Sequence, residues 1–140
     1  MFSNNIDITV EWGDCDPAGI VFYPNYFRWF NQGAHALFNA AGMPFHQLIK
    51  EWGIAGVPML DTQASFRAPT RFGEIITLTS RIDEWRNKSF TLAHEVYKGE
   101  QLCAEGRDIR AWIVHDAKAP NGIRAVPIPD DVKRCFRDRP

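Results

Sequence analysis

A chain of 140 residues with a net charge of −1 suits one domain, over 1–140, and can bury about two thirds of the surface its unfolded form exposes. So balanced a charge supplies no global field for nucleic acid. No uninterrupted apolar run approaches the ~20 residues that a membrane helix needs. Cys15, Cys103 and Cys135 cannot all pair within the chain and show no zinc-type spacing. The N-terminus lacks the basic and apolar regions of a signal peptide. These features together predict a cytoplasmic protein in a reducing compartment.

Ile6, Ile8, Val10 and Trp12 alternate with polar residues, the period of a half-buried strand. Residues 13–19 then break regularity with two glycines and Pro17. A helix follows, with Pro24 suited to its first turn. Its stripe is Tyr26, Phe30, Ala34, Leu37, Phe38 and Ala41, and Phe27 and Trp29 widen it into a nearly all-round apolar surface. Gly42 stands where a left-handed cap ends such a helix. Residues 44–52 read as a short second helix stopped by Gly53. Strands are predicted over 57–68, 75–85 and 102–115, with alternating Phe90, Leu92, His94 and Val96 marking another. The turns fall at 69–74, 86–88, 99–101 and 117–122. A last short strand at 124–128 and a terminal helix at 130–137 complete the pattern. One buried helix followed by a run of antiparallel strands is solved economically by a curved sheet wrapped around the helix. Such a sheet leaves edges, and pairing two copies removes one of them.

The chemistry concentrates in residues 11–29. Asp16 lies in a Gly/Pro-bounded loop just before the long helix. A turn aspartate bonding the backbone two residues on explains it without any function. The functional reading is a carboxylate beside open helix amides, able to attack, or activate water against, a carbonyl whose oxygen those amides hold. Asp14 is read as structural. Cys15 is flanked by two acids that disfavour its thiolate. His35, His46, His94 and His115 show no metal spacing and read as packed or surface groups. Arg86, Asn87, Lys88 and Arg124 fit either a solvated surface or a phosphate clamp for a nucleotide-bearing substrate. No metal or prosthetic group is implied.

Residues 14–26, Asp-Cys-Asp-Pro-Ala-Gly-Ile-Val-Phe-Tyr-Pro-Asn-Tyr, resemble the signature of the 4-hydroxybenzoyl-CoA thioesterases. Residues 53–58, 64–66, 84–90 and 124–125 resemble segments of the same family in matching order. The resemblance implies an α+β hot-dog fold, a long central helix wrapped by a curved antiparallel sheet of about five strands. It also implies homodimers, commonly paired into tetramers, and hydrolysis of an aromatic acyl-CoA to the free acid and coenzyme A, with no cofactor. It places the catalytic carboxylate on Asp16 and the amide that holds the thioester oxygen on Tyr23. The nucleotide phosphates fall to Arg86, Lys88 and Arg124. The helix residues 25–41 contain no Asp or Glu, so a catalytic acid on the helix is not available.

Two positions depart from relatives that recognise a ring hydroxyl, which carry Asp and Thr where Asn31 and Val57 stand. A site lacking those partners changes its ring preference, so benzoyl-CoA or another aroyl-CoA is as plausible as 4-hydroxybenzoyl-CoA. Phe22 and Trp29 are available to shape an apolar pocket, although core packing accounts for them equally well. Asp16 as nucleophile and Asp16 as general base stay open. So do two rival readings, a thioesterase for short or branched aliphatic acyl-CoA and a non-catalytic acyl-CoA binding module.

Overall fold

The computed structural model describes residues 2–137. The main sheet contains β1 (Ser3–Thr9), β2 (Met59–Phe66), β3 (Ile75–Trp85), β4 (Ser89–Lys98) and β5 (Gln101–Ala111). Its spatial order is β1-β3-β4-β5-β2, antiparallel throughout. A two-stranded ribbon, β6 (Ile113–His115) with β7 (Ile123–Ala125), extends one end. The helices are α1 (Pro24–Ala40), α2 (Phe45–Trp52) and α3 (Asp130–Arg134). α1 lies across β1, β3 and β4, which is the arrangement that the element order predicts.

Helix and sheet approach closely because Gly33 and Gly106 carry no side chain. A Cβ at Gly33 would overlap Ser80 Oγ and Leu78, and one at Gly106 would overlap the Phe30 ring. Two apolar clusters result. One gathers Phe38, Leu48, Phe90, Trp112 and Val132, and the other gathers Tyr26, Trp29, Phe30, Ile76, Leu78 and Val96. Gly42 takes a left-handed φ of 79° just after α1, and Gly53 one of 68° after α2, so both stops fall where the sequence places them.

Four expectations need correction. Trp12 does not continue β1; it opens a 3₁₀ turn and is 79% exposed. The strand has ended at Thr9, with Val10 turned into the core and bonded to the turn before β3 through Glu74 O. The long strand expected over 102–115 breaks at Trp112, which buries its indole and gives its backbone N–H to Lys88 O. The last strand and helix are shorter than predicted, at Ile123–Ala125 and Asp130–Arg134. α1 is apolar on one side only. Arg28, Asn31, Gln32, His35 and Asn39 are exposed, so the helix is half-covered by its own chain.

Candidate active site

Between β1 and α1 the chain makes a narrow hairpin. Cys15 bridges Val21, and Ile20 bridges Arg71. Asp16 sits at the tip, its N–H bonded to Ile20 O and its own C=O to the Gly19 N–H, both at 2.9 Å. Gly19 takes a φ of 79° there, a conformation that a side chain resists. Asp16 Oδ1 accepts the Ala18 N–H at 2.8 Å, so the aspartate turn foreseen as the bland explanation does form. Among the described residues no group donates to Oδ2, and the half-buried carboxylate lines a groove of about 500 Å³.

Asp14 pins this hairpin to the helix. Its Oδ2 accepts the Glu11 N–H at 2.9 Å and its Oδ1 accepts Arg28 Nη2 at 3.0 Å. Its carbonyl accepts the Phe22 N–H at 2.9 Å and Asn25 Nδ2 at 2.8 Å. Both carboxylate oxygens of Asp14 are thus engaged by hydrogen bonds, while Asp16 keeps Oδ2 free among the described residues.

Tyr23 caps α1 and lines the same groove. The Asn25 N–H goes back to Phe22 O and the Tyr26 N–H to Tyr23 O, and Pro24 has none to give. Among the described residues nothing accepts the Tyr23 N–H. It is the open donor at the positive end of a 17-residue helix. Across the groove stand Phe66, Arg67 and Thr70. Phe66 touches the Tyr26 ring at 5.3 Å and the Tyr23 ring at 6.5 Å. The Tyr26 hydroxyl shares a buried 2.6 Å hydrogen bond with Thr70 Oγ1. Burial pushes the phenol pKa up despite that bond, so Tyr26 stays neutral.

Other site residues named from the sequence lie elsewhere within one chain. Phe22 is half exposed beside Tyr23, their rings 5.5 Å apart, and does not line the groove. Trp29 is a core residue. Asn31 sits on the exposed side of α1, where its Oδ1 accepts Arg110 Nη2 at 3.1 Å. Val57 packs against the cluster around Phe38 and Phe90. Its neighbours Pro58 and Met59 join β5 beside Arg110: Pro58 O accepts the Ala111 N–H, and Met59 pairs with Arg110. Asn31 is therefore tied to Arg110, and Val57 lies two residues before the strand partner of Arg110, both in a region apart from the groove of Asp16.

Arg86, Lys88 and Arg124 collect at that same end. Lys88 O accepts the Trp112 N–H and Asn87 O accepts the Ile128 N–H, which lays the β3–β4 turn against the segment that leads from β7 to α3. Arg86 is loosely paired with Glu84 at 3.3 Å, and Arg124 Nε donates to Asp116 at 3.0 Å. The Lys118 amide first, and Arg124 after it, hold the Asp116 carboxyl below its usual range. The hairpin of Asp16 meets the sheet near the start of β3 and these cations stand near its end. At ~3.3 Å per residue the strand separates them by about 30 Å.

A buried polar chain escaped the sequence reading. Ser80 Oγ lies 2.8 Å from His94 Nδ1, and His94 Nε2 lies 3.0 Å from Asp108 Oδ2. Thr62 donates to Asp108 Oδ1 at 2.7 Å, and Arg110 Nη2 stands 3.7 Å from Oδ2. Phe30 stacks on the His94 ring at 4.8 Å. Burial pushes the Asp108 pKa up, but His94, then Thr62 and Arg110, outweigh it and hold the carboxyl low. His94 is the packed histidine expected. The missed signal was its place on the inward parity of β4, which obliged β5 to supply a partner.

Three comparisons bear on this geometry. The profile of the "Thioesterase-like superfamily" matches residues 10–136. A 4-hydroxybenzoyl-CoA thioesterase of Pseudomonas sp. (strain CBS-3) is 37% identical over 128 residues, covering 87% of this chain and 89% of that protein. A solved structure described as 4-hydroxybenzoyl CoA thioesterase from that strain superposes with a TM-score of 0.86 at 35% identity, over 96% of this chain and 99% of that one. A gentisyl-coenzyme A thioesterase superposes with a TM-score of 0.79 at 33% identity, over 95% and 98%. The chain belongs to the thioesterase-like superfamily and adopts its hot-dog fold.

Proposed function

We propose that the chain is an acyl-CoA thioesterase that hydrolyses an aromatic acyl-CoA to the free acid and coenzyme A. The observation that supports the proposal is that Asp16, with its Oδ2 unbonded, and Tyr23, with its N–H unpaired, line one groove together with Tyr26 and Phe66. The thioester carbonyl oxygen accepts the Tyr23 N–H, and negative charge developing there is stabilised by the end of α1. Such a donor contributes ~3 kcal/mol at the transition state. Asp16 then either attacks the carbonyl carbon or draws a proton from water that attacks it. In the first case the C–S bond breaks, coenzyme A leaves as thiolate, and water cleaves the acyl–aspartyl anhydride. A thiolate leaves readily, so no strong general acid is required, in keeping with a site that holds no histidine.

A second copy of the chain completes the site in this proposal. β2 is an edge strand, exposed along nearly its whole length, with Met59, Leu60 and Phe66 uncovered. An edge of that kind invites pairing. A two-fold axis through the middle of β2 sets Met59 of one chain opposite Phe66 of the partner subunit. Phe66 borders the groove of Asp16, whereas Met59 pairs with Arg110, which Asn31 contacts, and follows Val57 by two residues. Each groove thereby gains Asn31 and Val57 from across the axis to face the ring. Arg86, Lys88 and Arg124 come within reach of the nucleotide in the same way. Further pairing of dimers into a tetramer fits the same reading. No described helix is long and apolar enough to cross a membrane, and the three cysteines are free, which suits a cytoplasmic enzyme.

The test is thiol release from a panel of aroyl-, short-chain and branched acyl-CoA esters, with wild type and Asp16→Asn. Aroyl-CoA leads the panel, and the variant loses at least ~10³ in turnover with its fold retained. Activity within tenfold of wild type removes Asp16 from the chemistry and leaves it a turn residue.

A further inference from the structure

Three ionisable side chains, His94, Asp108 and Arg110, are nearly or wholly buried under α1. Burying charge is costly unless every partner is in place. Four of the five members of this chain of contacts are enclosed, and its last link reaches an exposed residue, Asn31. Its effect outside the core is to fix one amide.

The orientation of that amide follows from chemistry. A guanidinium has donors and no acceptor, so the atom of Asn31 facing Arg110 Nη2 at 3.1 Å is the oxygen. The NH₂ group then points away, as a donor with no described partner. Arg110 faces Asp108 as an ion pair, Oδ2 lying 3.7 Å from Nη2, with His94 and Thr62 fixing that carboxylate; its buried Nε has no hydrogen-bond partner among the described residues. The other charged or titratable group near it is His35 on α1, whose pKa is lowered by burial and then by the Arg110 charge. Val57, two residues before the strand partner of Arg110, has a side chain that cannot hydrogen-bond.

We propose that Arg110 is a positioning residue that locks the Asn31 amide oxygen-inward. The preferred acyl group therefore carries a hydrogen-bond acceptor, such as a carboxylate or carbonyl oxygen, on the ring edge remote from the thioester. The inference rests on the aroyl-CoA reading above and on Asn31 facing the groove of the partner. A ring hydroxyl can accept from the Asn31 NH₂, but its proton finds no acceptor on Asn31 or Val57. An unmet buried donor is penalised more than a missing bond. A ring amino group fares worse still, since it meets only donors.

The experiment compares kcat/KM for 4-carboxybenzoyl-CoA, 4-aminobenzoyl-CoA and 4-methylbenzoyl-CoA. Each variant's substrate ratio is divided by that of wild type, which cancels the intrinsic reactivity of the esters. Wild type favours the carboxylate over the amine. Asn31→Asp turns the outward-facing group from a donor into an acceptor, and its carboxy-to-amino ratio falls at least about tenfold. Arg110→Met frees the amide to rotate and lowers the same ratio, and Arg110→Lys restores part of it. A merely structural Arg110 would lower melting temperature and affect all three esters alike. Should Arg110→Met fail to fold, Asn31→Asp decides alone, because that position is exposed. A ratio unchanged within threefold in Asn31→Asp, with benzoyl-CoA still hydrolysed, overturns the inference and leaves the proposed function standing. Failure of wild type to hydrolyse any aroyl-CoA overturns both.

Discussion

Replacing Asp14 by alanine separates positioning from chemistry in the Asp-Cys-Asp segment. The change removes two bonds and leaves the Asp14 carbonyl contacts intact. The ion pair to Arg28 is 3.0 Å long, but the Arg28 side chain is 57% exposed, so solvent screening reduces it to about 0.5 kcal/mol. The bond from the Glu11 N–H to a side chain only 14% exposed contributes about 1–1.5 kcal/mol. A total loss near 2 kcal/mol lowers the melting temperature by roughly 5 °C in a chain of this size. The same energy loosens the hairpin that carries Asp16. In thiol-release assays turnover should fall between about 3-fold and 30-fold, the upper figure being that energy converted in full. KM should hold within about twofold, because the lost bonds lie outside the groove. Thermal melts and steady-state kinetics on Asp14→Ala and Asp16→Asn side by side make the comparison. A loss by Asp14→Ala as large as that of Asp16→Asn would place Asp14 in the reaction. Unchanged stability and turnover would show that the clamp holds nothing.

Two other outcomes follow from the same contacts. Leu60, 61% exposed on β2, lies on the edge proposed to pair, so Leu60→Asp should shift sedimentation from dimer or larger toward monomer. Activity should fall at least about tenfold with Asp16 untouched; a monomeric wild type with full activity would refute the two-chain site. Acid stability should report Asp108, whose folded pKa is depressed by His94, Thr62 and Arg110 against the opposing effect of burial. A depressed carboxyl stabilises the fold above the unfolded pKa of ~3.9. That stability is lost as pH falls through the lower, folded value. Urea titrations across that window should show it decline, and a flat profile would contradict the buried pair.

Periodicity alone determined much of this protein. The 3–4 spacing of α1, the alternation of β4 and the glycines at 42 and 53 are local signals, and local geometry obeys them. The segment with Asp16 and Tyr23 was equally legible, because its hairpin and helix cap are built from contiguous residues. The limits of the strands near Trp12 and Trp112 were not, since what an indole meets decides whether it is buried. Trp112 finds a core and Trp12 finds water. The link from Ser80 to Asn31 joins β3, β4, β5 and α1. Apart from Asp108 and Arg110 on one strand, its linked members stand 14 to 79 positions apart in sequence. Only the pairing of antiparallel strands under a helix brings them into contact. The same holds for Val57 against the cluster of Phe38 and Trp112 and for the distance between Asp16 and the basic end. Sequence names such groups by type, but their partners are fixed by strand register, which depends on the packing of the whole sheet.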